Sequence, residues 1–298
     1  MSNLNFKSGY VAIVGQPNVG KSTLINNFVN YKVAAVTPKP QTTRHQIRGI
    51  LNGENYQIIF LDTPGLIHPK YKLHEAMIKA AHRALQDADV ILFMVEAAST
   101  PDPEDVNLLE EILKTNTNFI LVINKIDKIS KGKILPLIDY YRRYEQIKAF
   151  VPISALHADG LENLKKEILN LLPEQPPFYP PDLITDHPER FLVSEIIREK
   201  IFQKYGEEIP YATTVEIEEF KEHPGDKDYI RAVIYVEKEG QKGIIIGKKG
   251  TALKEVGRLA REEIEFLLGR PVYLELWVKV KEKWRQNEKL LREFGYFN

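Results

Sequence analysis

The chain reads as an α/β domain with a mostly parallel six-stranded sheet, followed by a smaller α+β domain of order α-β-β-α-α-β. Three observations predict this. Short apolar runs alternate with helical stretches through the first 172 residues, which is the pattern of βα repetition. Asn52-Gly53 separates two β-like runs, so one pair of neighbouring strands should be antiparallel, with that dipeptide as its turn. Six of the 18 prolines fall within Pro173–Pro188, after which the pattern changes. Proline lacks an N–H and fixes φ, so this stretch reads as a stiff, extended linker. The expected division is 1–173, a linker over 174–188, and 189–298.

Within the first part, Tyr10–Val14 ends at a glycine and reads as a buried strand, and Lys21–Val29 as the helix after it. His45–Leu51 and Asn55–Leu61 form the antiparallel pair. Val90–Val95, Phe119–Ile123 and Phe150–Ile153 are further buried strands. Between and after them, Leu73–Gln86, Pro103–Lys114, Lys133–Gln146 and Leu161–Leu171 read as helices. In the second part Glu189–Tyr205 reads as helix, and Tyr211–Phe220 and Tyr229–Lys238 as alternating strands. A short apolar stretch, Gly243–Ile246, leads into a tight Gly-Lys-Lys-Gly. The helix Thr251–Leu268, the strand Val272–Val280 and a last amphipathic helix over Trp284–Phe294 follow.

Bulk composition excludes several function classes. The 298 residues carry a formal net charge of +0, so the whole-chain charge selects no partner. There is no cysteine, which removes thiolate catalysis, cysteine metal sites and disulfides. The N-terminal ten residues have no apolar signal core, and Val90–Val95 is far short of the roughly 20 residues a membrane span needs. A cytoplasmic monomer is the expectation.

Gly15-Gln16-Pro17-Asn18-Val19-Gly20-Lys21-Ser22 follows a strand and opens a helix, the context in which this spacing cradles phosphates. Glycines let backbone N–H groups curl around an anion, and the helix N-terminus adds a favourable field. Lys21 should reach the β- and γ-phosphates and Ser22 should ligate Mg²⁺, with Thr23 next in the loop. Asp62-Thr63-Pro64-Gly65 ends the third strand. There Asp62 would hold Mg²⁺ through water and the Gly65 N–H would meet the γ-phosphate. In the polar stretch Gln41-Thr42-Thr43-Arg44-His45, either Thr42 or Thr43 could complete the Mg²⁺ shell.

Asn124-Lys125-Ile126-Asp127 ends the Phe119–Ile123 strand. Asp127 can accept from guanine N1–H and the 2-amino group, a donor pair that adenine lacks. The Lys125 stem can lie along the base while its ammonium meets loop oxygens. In Ser154-Ala155-Leu156 the Ala155 N–H can reach guanine O6. The two motifs together point to GTP and GDP, and against an ATP-dependent kinase.

Leu66 stands directly after Gly65, and leucine cannot orient or deprotonate water. The catalytic group is therefore not evident. His45, His68 and His74 read as surface loop or helix residues. Slow intrinsic turnover follows, with a partner or ion completing the site.

Ile246-Gly247-Lys248-Lys249-Gly250 joins two helical stretches. A Gly-x-x-Gly turn allows close approach of a nucleic-acid backbone, and its two lysines add charge. Lys242, Lys254 and Arg258 extend the basic face: from 241 to 258 five basic residues stand against Glu255, +5 − 1 = +4. Residues 207–228, with eight acids and two lysines, should face away from RNA. Trp284, Phe294, Tyr296 and Phe297 can stack on bases or pack the last helix onto its domain.

The motifs at Gly15–Ser22, Thr42/Thr43, Asp62–Gly65, Asn124–Asp127 and Ser154–Leu156 resemble the five nucleotide motifs of translation-factor-like GTPases. With the second domain, whose order resembles a type II KH domain, nearly the whole chain resembles the Era family within the TrmE-Era-EngA-like bacterial GTPases. That resemblance implies Mg²⁺-dependent GTP hydrolysis and binding near the 3′ end of 16S ribosomal RNA. It also implies a role in 30S subunit assembly, no DNA partner, and peripheral association with the inner membrane. Asn18, at its loop position in a chain lacking the usual glutamine, further implies K⁺ beside the phosphates.

Overall fold

The computed structural model describes residues 6–65, 69–114 and 118–297, in two compact units. The first holds residues up to 34, 43–67 and 77–186. The second holds 35–42, 68–76 and 187–298. Leu66 and His68 lie outside the described residues.

The elements of the first unit are β1 (Lys7–Val14), α1 (Lys21–Val29), β2 (Ile47–Gly53), β3 (Tyr56–Asp62), α2 (Lys72–Asp87), whose first turn counts with the second unit, β4 (Val90–Glu96), α3 (Pro103–Ile112), β5 (Asn118–Asn124), α4 (Leu135–Tyr141), β6 (Ile147–Pro152) and α5 (Leu161–Leu171). The sheet order is β2-β3-β1-β4-β5-β6. Every pair is parallel except β2–β3, as the sequence predicts. The central strands are apolar on both faces because helices cover both. Val90 to Val95 are all buried, and Val14, Leu61, Phe93 and Ile123 share one core.

Three local expectations are corrected. The hairpin turn is Glu54-Asn55, not Asn52-Gly53: Gly53 pairs with Tyr56 inside the ladder, and Asn52 accepts from Gln57 Nε2 at 2.7 Å. The helix expected over 133–146 shrinks to α4, because a 3₁₀ turn at Lys131–Lys133 precedes it. The proline-rich stretch is extended but is no free spacer. Phe178 and Tyr179 N–H groups donate to the buried Gln57 Oε1 at 2.8 and 2.9 Å. Ile50 N–H, on the edge strand β2, donates to Ile184 O at 2.7 Å. The strap thus covers an edge that would otherwise expose ladder groups.

The second unit contains α6 (Glu189–Lys204), β7 (Thr214–Lys221), β8 (Asp228–Val236), α7 (Glu239–Ile246), α8 (Thr251–Leu268), β9 (Val272–Val280) and α9 (Glu288–Glu293). Its sheet runs β7-β8-β9, antiparallel then parallel. Alternate residues of β8, among them Ile230, Ala232 and Ile234, share a core with Ile197 and Ile201 of α6 and Val256, Ala260 and Ile264 of α8. The helix expected from Trp284 to Phe294 is split. A 3₁₀ turn at Trp284–Gln286 precedes α9, and Asn287 Oδ1 caps it by accepting from Lys289 and Leu290 N–H. Its aromatics pack the terminus down. Trp284 is fully buried, donates to Ala212 O at 2.9 Å, and lies against Phe294 and Tyr296.

Trp284→Ala should destabilise the second unit by about 3–5 kcal/mol, the range for removing a large buried aromatic. Denaturant unfolding followed through the lost protection of β8 amides checks this.

Candidate functional site

In a parallel sheet, loops at the carboxyl ends of the strands line one crevice. β1 ends at Val14, directly before Gly15, β3 at Asp62, β5 at Asn124, and β6 at Pro152, two residues before Ser154, so the four motifs meet at one end of the sheet. Asn124 ties them together. Its Nδ2 donates to Val19 O at 2.7 Å, and its Oδ1 accepts from Ala155 N–H at 2.8 Å. Gly20 sits at φ +110, and a Cβ there would stand 2.3 Å from Asn124 Nδ2. That position needs glycine for both the backbone and the neighbouring side chain.

In the phosphate loop the Lys21 side chain is buried, and its ammonium donates to Gly15 O and Gln16 O, each at 2.9 Å. Burial pulls its pKa down to about 8, against the pull of Asp62 and Asp105. Asp105, on α3, is a residue the sequence reading missed. Burial raises its carboxyl to about 6, while a hydrogen bond with Gln16 works the other way. Asn18 is exposed at the tip of the loop with φ +64.

Three oxygens converge beside this loop. Ser22 Oγ donates to Asp62 Oδ2 at 2.6 Å. Thr43 Oγ1 lies 2.9 Å from Ser22 Oγ and 3.2 Å from Asp62 Oδ2. This distinguishes the two threonines. Thr42 turns away into the second unit, where its hydroxyl donates to Lys39 O at 2.7 Å and contacts Thr37 Oγ1. Gly65 packs against Pro17 of the phosphate loop.

At the base motif, Ser154 Oγ donates to Asp127 Oδ1 at 2.6 Å, which lowers the Asp127 pKa and keeps it an acceptor. Lys125, at φ +66, pairs through its ammonium with Glu96, at the end of β4. The Ala155 N–H, expected to serve guanine O6, donates to Asn124 Oδ1, while Leu156 is 70% exposed.

Among the histidines, His74 is a helix residue of α2, as expected, but it is buried rather than at the surface. Its Nδ1 accepts from Lys70 N–H at 3.2 Å, which leaves Nε2–H facing Gln41 Oε1 at 3.1 Å. Within the same unit Val36 N–H donates to Glu199 Oε2 at 2.9 Å, and Lys39 Nζ donates to the carbonyls of Phe202 and Tyr205 at the end of α6. A cation there meets carbonyls that have no helical partner. Lys39 carried no recognisable motif in the sequence.

The second unit presents a groove of about 450 Å³ between α8 and β9. Gly250, Lys254 and Arg258, all predicted, line it. Leu253, Gly257, Arg261, Lys227, Tyr273 and Leu276 line it too and were not anticipated. Their signal was there: residues 250, 254, 257, 258 and 261 share one face of a helix. Gly247 has φ +71, and a Cβ there would meet Ala252 Cβ at 2.6 Å. Lys248, Lys249 and Lys254 are exposed and make no ion pair among the described residues. Arg258 is different. Its guanidinium is forked between Glu255 and Glu262, so it adds less positive charge than expected. Ile246 is half-buried beside the turn, and Lys242 lies 3.9 Å from Glu239.

A phosphate loop and a guanine motif at one end of the sheet, joined to a Gly-x-x-Gly groove on a separate three-stranded unit, define a P-loop GTPase carrying a KH domain. Family models agree: residues 10–125 match the 50S ribosome-binding GTPase family and residues 208–285 the KH domain. GTPase Era from Caldanaerobacter subterraneus subsp. tengcongensis is 48% identical over 98% of both chains, and that from Ruminiclostridium cellulolyticum is 45% identical over the same shares. A crystal structure of an Aquifex aeolicus Era variant bound to GDP and AlF4⁻ superposes with a TM-score of 0.95 at 47% identity. Era in complex with MgGDPNP and nucleotides 1506–1542 of 16S ribosomal RNA superposes at 0.94 and 48% identity. Both cover 98% of this chain and 100% of their own. The chain belongs to the Era family of GTPases.

Gly20→Ala should lower GDP affinity about tenfold or more, since it strains the loop and displaces Asn124 together. Titration with a fluorescent GDP derivative reads the loss, and a circular dichroism melt that stays a single cooperative transition, at a lower midpoint, shows that the fold persists.

Proposed function

We propose that this chain is a GTP-driven switch that binds single-stranded RNA near the 3′ end of 16S ribosomal RNA and assists small-subunit assembly. The observation that carries the reading is the Gly247–Gly250 turn, whose exposed lysines make no ion pair among the described residues, at the mouth of the α8–β9 groove. Such a turn clamps about four nucleotides of a single strand. Support comes from the likeness, over nearly the whole chain, to the Era protein bound to 16S RNA. The family matches over 10–125 and 208–285 support the division into a GTP-binding part, 1–173, a linker, 174–188, and an RNA-binding part, 189–298.

Ser22, Thr43 and Asp62 fit Mg²⁺ by donor chemistry, since they are hard oxygens gathered within 3.2 Å of one another. Ser22 and Thr43 would ligate directly and Asp62 through water. The ion would supply positive charge against the phosphates. The backbone of Gly15–Thr23 and the Gly65 N–H would hold the phosphates. Asn124, Asp127 and the Ser154–Leu156 loop would read guanine, and Lys125 would flank it.

The protein offers a path between nucleotide and RNA. Thr43 belongs to the hydroxyl–carboxylate cluster, and Lys39, four residues before it, grips the end of α6 in the second unit. Ordering Thr43 on nucleotide would bias the 35–42 segment, and so the unit that binds RNA. By linkage, RNA then tightens GTP as much as GTP tightens RNA. The reading places the chain in the cytoplasm as a monomer. Any association with the inner membrane would be peripheral, since no described helix is long and apolar enough to cross one.

The deciding experiment measures RNA affinity with a non-hydrolysable GTP analogue and with GDP. Wild type should bind more tightly with the analogue. Gly247→Asp/Gly250→Asp should lose binding in both states. Lys39→Ala should keep RNA binding but lose most of the difference between nucleotides. RNA affinity equal in both states for wild type would refute the switch.

Asn18 supports a potassium ion as the charge that completes hydrolysis. GTP turnover in matched KCl and NaCl should then differ several-fold in favour of KCl, and Asn18→Ala should remove the difference. Equal rates in the two salts would sink the ion.

A further inference from the structure

The groove between α8 and β9 does not stop where a four-nucleotide clamp would. Gly250 opens α8 at the turn, and Arg261 lies eleven residues, or about 16 Å, further along the same helix face. At that far end the lining is Arg261, Lys227 and Tyr273. Tyr273 is 59% exposed although it sits inside a strand, so a large apolar ring is presented to solvent. It is also held still. Its cross-strand partner in the β8–β9 register is Tyr229, whose ring stacks on it at 5.9 Å and 13°. Tyr229 is anchored in turn, its hydroxyl donating to Glu275. Glu275 also accepts from Arg231 at 3.1 Å, so that charge is spent within the sheet. The two cations at the far end of the groove are different, because Arg261 and Lys227 make no ion pair among the described residues.

We infer that Tyr273, backed by Tyr229 on the face of the sheet away from α8, is a base-stacking platform for the nucleotide that leaves the far end of the groove past Arg261 and Lys227 and turns around the β9 edge. The inference rests on the RNA-binding reading above and extends it to a second element of the site. An exposed, rigid aromatic beside unpaired cations is how single strands are held without sequence readout: the ring takes a base face and the cations take the phosphates. A basic protein fits this spot less well, because the charges left unpaired there are positive.

The test uses the full-length protein with a GTP analogue and two sets of single-stranded RNA from the 1506–1542 region of 16S ribosomal RNA. One set tiles fragments of about five nucleotides, enough for the clamp. The other uses fragments of about ten. Wild type should bind the best long fragment more tightly than the best short one. Tyr273→Ala should weaken the long fragment about tenfold and leave the short one unchanged. Tyr273→Trp should keep the long-fragment affinity, since it preserves a stacking face. Tyr273→Ala weakening long and short fragments alike, or neither, would overturn the platform while leaving the clamp intact. Wild type binding neither set would overturn the RNA reading itself.

Discussion

One buried amide holds the nucleotide crevice together. Asn124 reaches from the end of β5 to Val19 O in the phosphate loop and accepts from Ala155 N–H after β6. Three loops from distant parts of the chain share that side chain. Leaving any of those buried groups without a partner costs about 1–3 kcal/mol, so the arrangement is strongly selected over nearby alternatives. Gly20 is its complement, because only a residue without Cβ lets the amide pass so close. The guanine-reading and phosphate-binding motifs are therefore parts of one rigid object.

The second unit shows the same economy at lower density. Its sheet is covered on one face by α6 and α8, which leaves a groove along the β9 edge. The strained turn at Gly247–Gly250 sits at one end of this groove and the stacked Tyr229–Tyr273 pair at the other. Charge is distributed accordingly. Arg258 and Arg231 are neutralised within the domain, while Lys248, Lys249, Lys254, Lys227 and Arg261 make no ion pair among the described residues. The summed charge of residues 241–258 overstated what is available to a phosphate, because Arg258 is taken up by two carboxylates.

Where local patterning and motif spacing carry the information, the reading of the chain held: all six strands of the first sheet, the antiparallel β2–β3 pair and the order of the second unit. Turn placement did not. Asn-Gly favours a turn by intrinsic geometry, yet Asn52 and Gly53 stay in the ladder, where Gln57 and Tyr56 hold them. The proline-rich strap was legible as extended chain. What was not legible is that Gln57 and Ile50 would fasten it to a sheet edge, since those bonds join residues more than a hundred positions apart.

Motif spacing by itself determined the ligand class, because the chemistry of a phosphate loop or a guanine acceptor is local to a few residues and needs only a strand before it and a helix after it. Tertiary structure alone set Thr43, and not Thr42, beside Ser22 and Asp62. The two are adjacent and chemically identical, but only Thr43 reaches Ser22 and Asp62, while Thr42 is drawn to Lys39 O. It alone buried His74 against Gln41, and brought Lys39 to the end of α6 and Tyr273 onto Tyr229. Apart from the local Thr42–Lys39 bond, these pairings join segments far apart in the chain, and a one-dimensional pattern has no term for which distant carbonyl, amide or ring folding will place within reach.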